Sequence, residues 1–365
     1  MGMTHRDPHT KLERVSGLPL YTSTVVHRGT SVEVRCGAQK VTTPGRSPSS
    51  SVRVAAPTAA APGAPPAEAE AGGGGGWTVL DTYAHDRRAF TQGFALRPED
   101  RRRGGGERGE RDRGEGGGGM GVMYEGTGLY GRSELRRVDV ATGKVLARAA
   151  ALDKSFFGEG IALWRDSVLQ LTWKRKTGFV YDRETLEETS RFAYDTHTGQ
   201  GWGLTHDGAR LIVSDGSHFL HFWDPERPGH EVRDRLAVTD PDNRIGAASA
   251  GSEKRRAAGH TPQFKRGPNG EVGLLNELEW FRGTVLANIW YDDRIVQIDP
   301  DTGVVLAAWD FSDLQLKSRE WHKGQDCLNG IAVLDEDSGE LLLTGKLWRR
   351  AYRVKVDALV KKSVV

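Results

Sequence analysis

The chain has 365 residues, of which 47 are glycine, 37% are hydrophobic and 27% are charged, with a net charge of +2. No run approaches the ~18–20 apolar residues of a membrane-spanning helix. The two cysteines, Cys36 and Cys327, exclude a disulfide scaffold or a cysteine-based zinc site. A balanced charge gives no electrostatic case for nucleic-acid binding. All ten tryptophans lie from Trp77 onward, so the glycine-rich average conceals a region built to pack.

Residues 1–76 carry 8 basic and 5 acidic side chains and are rich in Ser, Thr, Ala, Pro and Gly, ending in the run Gly72–Gly76. Such a segment cannot bury enough apolar surface to offset its chain entropy and reads as a disordered tail. Its basic, hydroxylated, acid-poor stretch up to Ser51 also suits an organelle transit peptide, whereas no apolar core of a secretory signal follows Met1. The expected division is a tail over 1–76 and one folded catalytic domain over 77–365. Two stretches interrupt that domain. Arg97 to Gly121 holds ten glycines, seven arginines and six acids. Pro241 to Gly273 mixes Gly, Ala, Lys and Arg without apolar periodicity. Both read as inserted, disordered loops.

With these set aside, short β-like runs separated by Gly, Asp and Pro turns fill Trp77 to Val356, with no long 3.6-residue periodicity. A triplet recurs five times: Gln92-Gly93-Phe94, Glu159-Gly160-Ile161, Trp202-Gly203-Leu204, Asn276-Glu277-Leu278 and Asn329-Gly330-Ile331. After most triplets comes an apolar strand, such as Val168–Trp173 or Val285–Trp290. A third strand then closes on Asp139, Asp182, Asp224, Asp299 or Asp357, whose carboxylate can cap a turn. Four strands per repeat, at ~45 residues once the insertions are removed, is the pattern of a β-propeller. The sequence therefore predicts an all-β fold with five four-stranded blades. The fifth repeat lacks a fourth strand, and Trp77–Tyr83 is expected to supply it and close the ring.

If the triplets begin the innermost strands, Gln92, Glu159, Trp202, Asn276 and Asn329 lie at one level of the channel. Trp173, Trp290 and Lys346 approach the same mouth from the ends of the next strands. Glu159, between Phe157-Gly158 and Gly160-Ile161, is expected to be desolvated, with a raised pKa suited to proton transfer. Tryptophans in blades usually pack between sheets, and Asn residues in channels often serve backbone groups. Trp173, Trp202 and Trp290 rank above Trp164, Trp223, Trp309 and Trp348 as site residues.

The stretches Phe90-Thr91-Gln92-Gly93, Gly126 to Ser133, Phe157 to Ile161, Leu169 to Lys174, Gly201 to Thr205, Leu275 to Glu279 and Thr344 to Trp348 occur in order across all five units. Together they resemble the plant and bacterial type of glutaminyl-peptide cyclotransferase. The resemblance implies a five-bladed propeller that converts N-terminal glutamine of peptides or proteins to pyroglutamate and releases ammonia, an aminoacyl-transfer reaction without catalytic zinc. It places the acid/base role on Glu159, polar partners on Gln92, Asn276 and Lys346, and an aromatic pocket on Phe90, Phe157, Trp173, Trp202 and Trp290. It also implies a structural calcium ion in the channel, with ligands the sequence does not assign, and a secretory location that the N-terminal composition does not support. The expected partners are Gln-initiated peptides, with no nucleic acid and no membrane span, and the expected state is a monomer. The tail and both insertions depart from the family pattern, and a single cysteine in the propeller region leaves no disulfide within it.

The expected mechanism has Glu159 pass a proton from the attacking α-amine to the leaving nitrogen, while Lys346, Gln92 or Asn276 donates to the oxyanion. Two competing readings are a calcium-dependent lactonase or esterase, with Asn288 joining Glu159, Asn276 and Asn329 as oxygen donors, and a peptide-binding propeller without catalysis.

Overall fold

The computed structural model describes residues 76–100, 120–246, 266–321 and 324–362, with the backbone of Val26–Arg28 and Ser31–Glu33. Those two short stretches, β1 and β2, pair antiparallel, Val26 opposite Glu33, in a segment to which the sequence assigns no strand. The tail reading otherwise lies outside the described residues, as do 101–119 and 247–265 of the two insertions.

The strands that follow form five four-stranded antiparallel sheets. Blade 1 is β4 (Thr91–Leu96), β5 (Val122–Thr127), β6 (Leu135–Asp139) and β7 (Val145–Arg148). Blade 2 is β8 (Gly158–Trp164), β9 (Ser167–Thr172), β10 (Thr177–Asp182) and β11 (Glu188–Ala193). Blade 3 is β12 (Leu204–His206), β13 (Leu211–Ser214), β14 (Phe219–Trp223) and β15 (Glu231–Ala237). Blade 4 is β16 (Leu275–Phe281), β17 (Thr284–Ile289), β18 (Arg294–Ile298) and β19 (Val305–Asp310). Blade 5 is β20 (Leu328–Asp335), β21 (Glu340–Gly345), β22 (Arg350–Val356) and, from the start of the domain, β3 (Trp77–Ala84). The fold is thus the five-bladed β-propeller the repeats predict.

Ring closure takes the expected form: β3 pairs with β22 from Val356↔Trp77 to Arg350↔Ala84. A buried polar lock follows at once. His85 contacts the Trp348 carbonyl through Nδ1 at 2.8 Å and Glu125 Oε1 through Nε2 at 2.9 Å, and Arg136 reaches Glu125 Oε2 at 2.8 Å and Asp86 Oδ2 at 2.8 Å. Burial raises the Glu125 carboxyl, but Arg136 and His85 outweigh it and hold the group below the usual carboxylate range.

Burial follows strand position. The innermost strands β4, β16 and β20 are buried almost throughout, whereas β11 is almost wholly exposed. Its charged Glu188 and Arg191 discourage edge pairing. Between blades 4 and 5, Trp77, Phe281, Leu286, Phe311, Trp348 and Val354 share one apolar cluster. Full burial of such side chains contributes about 1.5–3 kcal/mol each. The glycine of the first three triplets is dictated by closeness: a side chain at Gly203 would collide with the Asn276 carbonyl, and one at Gly93 with the Ile161 amide. The aspartates behave as read, with Asp139 Oδ1 accepting the Thr142 amide at 2.8 Å and Asp182 Oδ1 the Thr185 amide at 2.8 Å.

Two features differ from expectation. A ten-residue helix, α1 (Ser312–Trp321), precedes β20. Its buried face includes Gln315 and Ser318 beside Leu314, so no apolar period announces it. The flanks of the insertions are also built into the fold. Asp100 accepts from Arg97 Nε at 2.8 Å and from the Val122 amide at 2.8 Å, pinning both ends of the first excursion. Asp240 accepts the Arg244 amide at 2.7 Å and the Ile245 amide at 3.0 Å, and Ile245 and Val272 are buried in the blade 3–4 core.

Candidate active site

The strand starts deliver the triplets to one mouth of the channel. Phe90 precedes β4, and its carbonyl accepts the Gly128 amide at 2.8 Å, so blade 1 carries both sides of that corner. Phe157 precedes β8 and accepts the Trp173 amide at 3.0 Å, which sets Trp173 beside it. The Trp202 amide donates to Ser214 at 2.9 Å, and its carbonyl accepts the Gly160 amide at 2.7 Å, joining blades 2 and 3. Trp290 donates its amide to Leu274 at 2.9 Å, and Lys346 donates to Cys327 at 3.0 Å.

From these anchors an almost continuous ring of side chains surrounds the mouth. Phe90 and Phe157 pack edge-to-face at 6.1 Å, and Phe157 meets Trp173 at 5.7 Å. Trp202 and Trp290 meet at 5.4 Å, and Trp290 meets Tyr291 at 4.8 Å. Tyr291 donates its hydroxyl to Asp326 Oδ2 at 3.3 Å, and the Asp326 amide donates to the Lys346 carbonyl at 2.8 Å. Lys346 Nζ lies 5.1 Å from the Phe90 ring centre, which closes the circle. The five aromatic residues expected from sequence all take part. Trp223 and Trp348 are fully buried core residues, as their lower ranking anticipated.

Besides Tyr291 and Asp326, two further members of the ring escape sequence reasoning. Gln200 Oε1 accepts from both indoles, Trp173 Nε1 and, at 3.1 Å, Trp202 Nε1, and so joins the two aromatic groups. It sits in a polar Thr-Gly-Gln loop with no repeat counterpart, so no sequence signal marks it. Tyr130 packs on Phe157 at 5.3 Å while remaining 47% exposed. It stands inside the Gly126 to Ser133 motif, which was the available signal. Ser133 fixes that loop: its buried hydroxyl donates to the Leu129 carbonyl at 2.8 Å and accepts the Gly158 amide at 2.9 Å.

Within the ring, Glu159 is 4% exposed, and no hydrogen bond to its carboxyl is found among the described residues. Burial raises its pKa well above the usual carboxylate range, with Lys346 opposing the shift. Lys346 is 3% exposed and forms no ion pair among the described residues. Gln92 Oε1, Asn276 Oδ1 and Asn329 Oδ1 are buried oxygens without hydrogen-bond partners. Asn329 is otherwise engaged, donating Nδ2 to the Thr91 carbonyl at 3.0 Å, and Asn288 Oδ1 accepts the Gly330 amide at 3.0 Å. Gly128 leaves room beside Gln92: a side chain there would collide with Phe157 and crowd Gln92.

The implied calcium ion meets a poor donor set here. The unpartnered amide oxygens are neutral, Glu159 is one carboxyl, the Glu277 carboxylate accepts the Ile331 amide at 2.9 Å, and no group of three or more His, Cys, Asp or Glu is placed to hold a metal among the described residues. Calcium affinity is set by ligand charge and number, and these residues do not fit a charged cage.

A buried, unpaired carboxyl, a buried lysine and orphan amide oxygens inside an aromatic ring form a site for a small polar group with an aliphatic stem. The glutamine cyclotransferase family matches residues 118–248 and 264–356, which contain most of this ring. The chain belongs to that family. A glutaminyl-peptide cyclotransferase of Arabidopsis thaliana is 35% identical over 289 residues, covering 78% of this chain and 72% of that protein. The crystal structure of Myxococcus xanthus glutaminyl cyclase aligns with a TM-score of 0.56 and 25% identity, over 78% of this chain and 97% of that one. Phe90 and Gln92 precede the matched span of the cyclotransferase family, yet the fold brings both to the same mouth as the matched residues.

Proposed function

We propose that this protein converts the N-terminal glutamine of peptides or proteins to pyroglutamate with release of ammonia. Family membership and the Arabidopsis relative support the reaction, and one observation carries the mechanism: Glu159 is a buried carboxyl with a raised pKa and no hydrogen-bond partner among the described residues, influenced electrostatically by Lys346.

The substrate α-nitrogen attacks its own γ-carbonyl carbon, forming the ring C–N bond. The C–N bond to the terminal amide nitrogen then breaks. Ionised Glu159 takes a proton from the attacking nitrogen and delivers it to the leaving nitrogen, so ammonia departs and the carboxylate is regenerated. A carboxyl with a raised pKa suits both halves of that transfer near neutrality. The γ-oxygen gains negative charge in the tetrahedral intermediate, and the Lys346 ammonium stabilises it. Gln92 and Asn276 present amides that serve the substrate from either end. Their buried, unpartnered oxygens accept N–H groups of the substrate amine and amide, and their NH₂ groups remain available to donate to the oxyanion. An unsatisfied buried acceptor costs about 1–3 kcal/mol, which binding would relieve. The aromatic ring holds the folded glutamine side chain against the amine, where proximity supplies much of the rate. Every step uses protein groups, and we propose that a single chain carries it out.

The test is incubation with a Gln-initiated peptide, following ammonia release and loss of one ammonia by mass spectrometry. An N-acetylated peptide of the same sequence serves as control, since its nitrogen is no longer an amine nucleophile. Absence of ammonia release from the free peptide would refute the assignment.

A further inference from the structure

The blade 2 side of the mouth carries four cationic residues, Arg132, Lys154, Lys174 and Arg175, all exposed, and none forms an ion pair among the described residues. This is unusual for the neighbourhood. Lys176 pairs with Asp195 at 2.8 Å, Arg137 with Glu184 at 2.9 Å, and Arg165 with Glu226 at 3.0 Å. The four unpaired cations are also attached to the wall of the candidate site. Lys174 Nζ lies 3.8 Å from the Trp173 ring centre. Arg175 Nε donates to the Ser155 carbonyl at 3.1 Å, and its charge acts on Tyr130, which packs on Phe157. Lys154 passes Gly131, its Cβ 3.8 Å from where a side chain there would begin, and Arg132 is the next residue. The carboxylate within this group, Asp153, is exposed, accepts the Ser155 amide at 2.8 Å, and acts electrostatically on Lys154 and Arg175 without forming an ion pair.

A peptide whose first residue is held inside the ring must leave across this rim or another. From Phe157 to Trp173 is 5.7 Å, and from Trp173 to Lys174 Nζ a further 3.8 Å. That path of about 10 Å is spanned by about three extended residues. The cations therefore stand level with the residues that follow the glutamine.

We propose that the Arg132, Lys154, Lys174 and Arg175 rim recognises acidic side chains at the second to fourth positions of the substrate, so that Gln-initiated peptides rich in Asp or Glu there are the preferred class. This rests on the cyclase reading. Exposed ion pairs are individually weak and screened by salt. Two carboxylates should thus raise kcat/KM about three- to twentyfold at low ionic strength, with most of the gain lost at high salt.

The experiment compares Gln-Ala-Glu-Glu, Gln-Ala-Ala-Ala and Gln-Ala-Lys-Lys peptide amides on the full chain, at low and high salt. The expected order of kcat/KM is acidic, then neutral, then basic, collapsing as salt rises. A double variant, Arg132→Glu with Lys154→Glu, should turn over the neutral peptide normally and lose or reverse the acidic preference. A titration of tryptophan fluorescence with the three pyroglutamyl product peptides provides a readout independent of turnover and should give the same order. Equal kcat/KM for the three peptides, or a preference untouched by the double variant, overturns the rim proposal and leaves the cyclase intact. Failure to turn over any of the three peptides refutes the cyclase reading, and the rim proposal falls with it.

Discussion

Replacing Glu159 by Gln keeps the side-chain volume and removes the titrating proton. The residue is 4% exposed and makes no hydrogen bond that the change would break among the described residues. General acid–base catalysis contributes about 10²–10⁴-fold, which is about 3–5 kcal/mol of barrier at ~1.4 kcal/mol per tenfold. Glu159→Gln should therefore lower kcat by that factor. KM should stay within about threefold, because the aromatic walls that bind the stem are untouched. The same substitution has a calculable sign on stability. The folded carboxyl keeps its proton where an unfolded one, near 4.5, has lost it. The native state then binds more protons, so wild-type stability falls as pH rises from about 4.5 through the folded pKa. The Gln variant lacks that loss and should gain on wild type over the same range in urea unfolding. Ammonia release measured across pH completes the test. The acid limb of wild-type kcat/KM should combine the substrate amine with a carboxyl above the ordinary carboxylate range, and that of the variant should follow the substrate amine alone. Wild-type kcat in the variant, or an unchanged acid limb, would refute the proton-shuttle assignment.

Three further outcomes follow from other parts of the structure. Gln200→Leu removes the acceptor shared by Trp173 and Trp202 and leaves two part-buried indole N–H groups unpaired, so KM should rise about five- to twentyfold with little change in kcat. Gln200→Glu, which keeps an acceptor, should restore KM; an unchanged KM in the Leu variant would show that the link is idle. Arg136→Met leaves Glu125 buried without its guanidinium and should cost about 3–5 kcal/mol in urea unfolding at neutral pH. Because Glu125 is held below its ordinary range, its contribution is present above the unfolded carboxylate pKa and is lost as pH falls below it, so the gap between wild type and variant should narrow on acidification. A gap independent of pH would refute the lock at the ring closure. Treatment with EGTA should leave turnover unchanged, as measured by ammonia release; a loss reversed by added calcium would overturn the reading of the channel donors.

The repeat was legible because propeller blades impose the same local demands five times. Period-two apolar runs, a glycine or other small residue where inner strands crowd, and an aspartate that caps the turn after the third strand are short-range necessities that leave marks at fixed spacing. Glu159 was legible for a related reason: a carboxylate flanked by Phe157, Gly158, Gly160 and Ile161 has no local partner, and no hydrogen bond to it is found among the described residues. The helix Ser312–Trp321 was not legible, because its buried face is partly polar and Gln315 and Ser318 find their partners only in the loop leading to β20. The built flanks of the insertions were hidden in the same way, since Asp100 reaches the Val122 amide and Asp240 the Arg266 guanidinium across a long gap.

By itself, then, the sequence determined the all-β class, the blade count, the closing strand and the repeated triplets whose first residues face one channel mouth. Each of these follows from local patterning repeated along the chain. Only the tertiary structure decided which of those residues touch. It joined Trp173 to Trp202 through Gln200, set Lys346 over Phe90, and buried the amide oxygens of Gln92 and Asn276 without partners. It also left four cations of the blade 2 rim without an ion pair among the described residues. Contacts between loops of different blades depend on the ring having closed, and no spacing within one blade encodes them.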